Sequence, residues 1–101
     1  MNRPAKDAFA RVEEEILRER AAALKRISEA LAELLSELGA LGAPRGQLSG
    51  PERASRATAY RALWERARLY RWYLEVQREA LGLRGHDVLD ELYPRPAPIL
   101  E

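Results

Sequence analysis

The segment Tyr60 to Leu83, YRALWERARLYRWYLEVQREALGL, carries apolar residues on two sides of one uninterrupted helical pattern. Leu63, Ala67, Tyr70, Leu74 and Leu81 recur at helical steps as one stripe, and Ala62, Leu69, Tyr73, Val76 and Ala80 make a second on another side. A helix that is apolar on two sides has two neighbours to satisfy. The same segment holds five of the seven aromatic residues: Tyr60, Trp64, Tyr70, Trp72 and Tyr73. Such a belt is expected to be core or interface, because aromatic side chains bury large area and keep a polar group at a wet edge.

One neighbour is legible upstream. Phe9, Val12, Ile16, Leu17, Ala23, Leu24, Ile27, Ala30, Leu31, Leu34, Leu35 and Leu38 fall at helical steps and predict a first helix over about 4–38. Their stripe is wider than the seam of a two-stranded coiled coil, so this helix too is expected to touch more than one other. Asn2 or Asp7 is placed to cap it, with Pro4 suited to a first turn. Arg20 is out of pattern, since its heptad position continues as Ile27, Leu34 and Leu41; it is expected to snorkel or to pair with a carboxylate.

Between the two helices lies GALGAPRGQLSG, with Gly39 or Gly42 as the candidate C-cap of the first. Ser49-Gly50-Pro51-Glu52 has the form of a capping box and starts the second helix, expected over 50–81 and stopped at Gly82. A connector this short makes the helices an antiparallel hairpin. His86 to Leu92 then fits two turns of a third helix, expected over 86–92, with Val88, Leu89 and Leu92 turned toward the hairpin. Prolines at 94, 96 and 98 make 94–101 an extended tail, expected to dock with Ile99 and Leu100 as its apolar tip.

The expected fold is therefore all-α. It is a single helical domain over 1–93, a long antiparallel two-helix hairpin plus a short C-terminal helix, followed by the extended Pro-rich tail. A lone hairpin of 101 residues buries few large side chains fully. The missing burial is expected from a second copy, as a homodimer forming a four-helix bundle with Leu69, Trp72, Tyr73 and Val76 at the contact.

Catalytic machinery is not evident, and the chain is expected not to be an enzyme. Cysteine is absent, which removes disulfides, thiolate chemistry and sulfur-bound zinc and suits a reducing compartment. His86 is the single histidine; with Asp87, Asp90 and Glu91 it forms a small acidic cluster, better explained by charges favoured in the first turn of a helix than by a metal site. No cofactor motif is present. MNRPAKDAFARVEEE lacks the apolar core of a signal peptide and no apolar run is long enough to span a bilayer, so a cytoplasmic protein with no membrane partner is expected. Fifteen arginines against two lysines, with few thermolabile residues, fit a thermophile or a GC-rich genome.

Charge is the remaining signal. The formal net charge is +1, but Arg53, Arg56, Arg61, Arg66, Arg68 and Arg71 face only Glu65 within their stretch, a local balance of +5. Arg53, Arg61, Arg68 and Arg71 fall within an arc of about 80° at roughly 100° per residue, near Trp64, and could contact phosphates. Residues 5–38 hold six basic and eight acidic residues, a balance of −2. Opposite charges on the two helices more simply keep them in register. A non-catalytic homo-oligomeric interaction or scaffold protein is the leading expectation, with a weak nucleic-acid-binding accessory protein as the alternative.

Overall fold

Three helices follow in order, α1 over Arg3–Gly42, α2 over Gly50–Ala80 and α3 over Asp87–Leu92, in a computed structural model that describes residues 3–42 and 48–98. The expected all-α hairpin with a short third helix is what forms. At about 1.5 Å per residue, α1 is roughly 60 Å long and α2 about 46 Å. The molecule is a rod of 76 × 22 × 17 Å. The radius of gyration, 19.9 Å, is well above the roughly 13 Å of a compact chain of this size.

Local chemistry explains the ends of α2. Ser49 Oγ accepts from the Glu52 amide at 3.2 Å and the Glu52 carboxylate accepts from the Ser49 amide at 3.1 Å, which closes the capping box. At the other end Gly82 has φ 86°, and the amides of Gly82 and Leu83 donate to the carbonyls of Glu79 and Arg78. That left-handed residue reverses the chain as glycine allows and other residues resist.

α1 begins within one residue of the expected start and departs from expectation at its C-terminal end. It starts at Arg3, so Asp7 lies inside the helix rather than capping it, and Asn2 falls outside the described residues. It runs on through Gly39 to Gly42 instead of stopping near Leu38. The last turn is held from outside: Leu41 packs against the core and its carbonyl accepts from Arg56 Nε of α2. Gly42 permits the close approach of α2, since a Cβ there would sit 3.1 Å from the Tyr60 ring.

The core lies along the seam between the antiparallel helices. Leu31, Leu34 and Leu38 of α1 meet Tyr60, Ala67 and Leu74 of α2, and Leu89 of α3 closes the cluster. Leu24, Ile27, Leu35, Leu41, Leu63, Trp64, Tyr70 and Tyr93 pack around it. Of the α3 residues expected to face the hairpin only Leu89 is buried; Val88 and Leu92 remain exposed, because a two-turn helix presents one narrow face.

The proline tail lies against α2. Tyr60 Oη donates to the Ala97 carbonyl and Trp64 Nε1 to the Pro96 carbonyl, both at 2.9 Å, while the Arg95 guanidinium sits 4.5 Å from the centre of the Trp64 ring. Ile99 and Leu100, the expected tip, fall outside the described residues. Two hydrogen bonds and a cation–π contact of this kind contribute about 1–3 kcal/mol together. Deleting residues 94–101 is expected to lower the thermal midpoint by at least about 4 °C. A melt followed by circular dichroism checks it, and an unchanged midpoint would show these contacts to be energetically idle.

Candidate functional site

The two stripes of α2 have separate fates. Ala67 and Leu74 of the first are buried and Leu63, Tyr70 and Leu81 partly so, all on the α1 side. The second stripe faces outward. Leu69, Trp72, Tyr73 and Val76 are all exposed, Trp72 the most at 56 %. At about 100° per residue this outward face is centred roughly 160° around the helix from the seam. Ring contacts tie the two sides together, Tyr70 meeting Tyr73 edge-on at 5.7 Å and Trp72 lying 5.6 Å from Tyr73.

A second uncovered apolar surface lies on α1. Arg20 Nη1 donates to the carbonyl of Ala80, the last residue of α2, at 3.1 Å. Residues 4–19 therefore run past the end of α2, and every one of them is exposed. Phe9, Val12, Ile16 and Leu17 sit on this overhang, with Phe9 66 % exposed. Sequence reasoning counted them as part of the covered stripe; the signal missed was the difference in helix length. Arg20 meets a backbone carbonyl rather than a carboxylate. Its charge meets the electronegative C-terminus of α2, as Arg56 meets that of α1.

The four arginines proposed for phosphate contact occupy different surroundings. Arg71 is turned into the α2–α3 junction, with Nε 3.3 Å from Glu75, Nη1 2.8 Å from Asp90 and Nη2 3.5 Å from the His86 carbonyl. Arg68 is exposed and 3.9 Å from Glu65, and Arg53 and Arg61 are exposed on the same helix. A shallow groove of about 830 Å³ beside Trp72 is lined by Arg66, Arg68, Arg71 and Arg95 but also by Glu65, Glu75 and Asp90. Its near-balanced charge supplies little of the one-signed field that concentrates a polyanion.

The acidic cluster around His86 is not gathered into one site. His86 Nε2 lies 3.0 Å from Glu79 and Asp90 is bound to Arg71. Among the described residues no three histidines or carboxylates converge as metal ligands, and no helix is long and apolar enough to cross a membrane. These groups instead join α3 to the end of α2, helped by Arg78 Nη2 donating to the Gly85 carbonyl at 2.7 Å. No family model matches the chain, and no match was found among the curated proteins or the solved structures.

Proposed function

We propose that this protein is a non-catalytic, homo-oligomeric helical interaction or scaffold module whose copies associate through the outward face of α2. The observation that carries the proposal is the contiguous patch of Leu69, Trp72, Tyr73 and Val76, uncovered on the side of α2 away from its own partner helix. Soluble chains rarely leave an aromatic patch of this kind wet, and Trp and Tyr are enriched where proteins meet. The elongated shape adds to it, since one seam covers little of either helix. A cysteine-free composition supports a reducing compartment such as the cytoplasm. Sedimentation equilibrium at micromolar concentration tests the proposal. The expected mass is at least twice 11.5 kDa, and a constant 11.5 kDa across the range would overturn the proposal.

The nucleic-acid reading rests on the +5 balance of residues 53–71. Arg71 is already committed to two carboxylates, and the groove beside it is nearly neutral. Retention on a DNA or RNA column is accordingly expected to be weak and lost at physiological salt. A tight complex there, abolished by Arg61→Ala with Arg68→Ala, would reverse the ranking.

A further inference from the structure

The overhang of α1 and the outward face of α2 carry the same pattern. Phe9, Val12 and Ile16 are spaced by three and four residues, as are Leu69, Trp72 and Val76. The two sets are offset by 60 residues at every position, 9 to 69, 12 to 72 and 16 to 76, and so are Arg20 and Ala80, which a hydrogen bond joins across the hairpin where α2 ends. Resting on the proposal that the protein self-associates, we infer that the overhang of each copy lies parallel along the outward face of the other copy's α2. Phe9 meets Leu69, Val12 meets Trp72 and Ile16 meets Val76 of the second copy.

The stagger of the hairpin allows this. A two-fold axis crossing the rod at the level of Arg20 and Ala80 reverses the second copy, so that its α2 ends where the first α2 ends and continues outward along the overhang. Residue n of α1 then stands level with residue n + 60 of the second copy. The same axis lays the first copy's α2 on the second copy's overhang, so the contact is reciprocal and the assembly closes at two. The two α2 helices then lie end to end, their C-terminal turns meeting at the axis. Each α1 is covered by its own α2 over one part of its length and by the second copy's α2 over the rest.

Faces and charges agree with that register. The apolar side of the overhang continues the side of α1 that faces α2, by the same count of about 100° per residue. The receiving face of α2 is opposite its own seam, so four helices assemble as three columns rather than a square bundle. In a parallel pair, the residue just before one seam position reaches the residue just after the next seam position of the other helix. Arg68 precedes Leu69 and Glu13 follows Val12; one heptad on, Glu75 and Arg20 stand in the same relation. Both pairs are of opposite sign. Face-to-face pairing of the two α2 helices alone would leave Phe9, Val12 and Ile16 in water.

The absence of cysteine makes the test clean. The double variant Phe9→Cys, Leu69→Cys, oxidised as the full chain, is expected to form a disulfide-linked dimer, whereas either single variant is not. Within one chain the two positions are about 33 Å apart along the rod, beyond any disulfide. Both replaced side chains are exposed in the single copy, so the fold survives. Equal cross-linking of Leu69→Cys alone would show α2 pairing with α2, and no cross-link in a protein that sediments as a dimer would also overturn the register while leaving self-association standing. A monomeric mass would remove both. Independently, Glu13→Arg is expected to weaken the dimer and the added Arg68→Glu to restore it; failure of that rescue would count against the arrangement.

Discussion

The Leu38→Ala variant is expected to lose about 2–5 kcal/mol of folding stability, the range for truncating a buried leucine into a cavity. Leu38 is 0 % exposed and, with Leu31, one of the two largest fully buried side chains among the described residues. A chain of this size has a total of only about 5–15 kcal/mol, so the loss is a large fraction of it. The thermal midpoint is expected to fall by at least about 8 °C at fixed protein concentration. Phe9→Ala removes a larger side chain but one that is 66 % exposed, so its effect on the fold of the single copy is expected to be small. A Leu38→Ala melt indistinguishable from that of the parent would mean that the seam is not where the stability resides.

Trp72→Glu is expected to act on association and spare the helix. Trp72 is 56 % exposed in the single copy, so its replacement opens no cavity there. In a desolvated contact the same change removes a large aromatic anchor and introduces a carboxylate without a partner. Loss of a tryptophan hot spot alone is about 2 kcal/mol or more, which is roughly 30-fold in the dissociation constant. Sedimentation equilibrium reads the effect, with helicity by circular dichroism as the control. Undiminished association of Trp72→Glu would move the contact off the outward face of α2.

Much of the hairpin was legible because its signals are local. The two stripes of α2, the Ser49–Glu52 capping box and the left-handed Gly82 each depend on residues within a few positions of one another, and all three appear where their patterns imply. The end of α1 was misjudged because Gly39 is only a permissive residue; the contact of Leu41 with the core and Arg56 decides that the helix passes it. The candidate surface was half legible. The stripe through Leu69 and Val76 can be read from periodicity, but nothing in periodicity distinguishes Phe9, in water, from Leu31, in the core.

By itself the sequence determined which segments are helical, where α2 starts and stops, and that α2 has two apolar sides, since these follow from side-chain spacing and capping chemistry along one stretch of chain. Only the tertiary structure decided how far the helices slide past each other. That stagger is set by contacts between residues far apart in sequence, Arg20 with Ala80 and Arg56 with Leu41, and by the close fit of Gly42 on Tyr60. It leaves residues 4–19 uncovered and brings Pro96 and Ala97 to Trp64 and Tyr60, because a helical pattern states which face is apolar but not which partner lies opposite each turn.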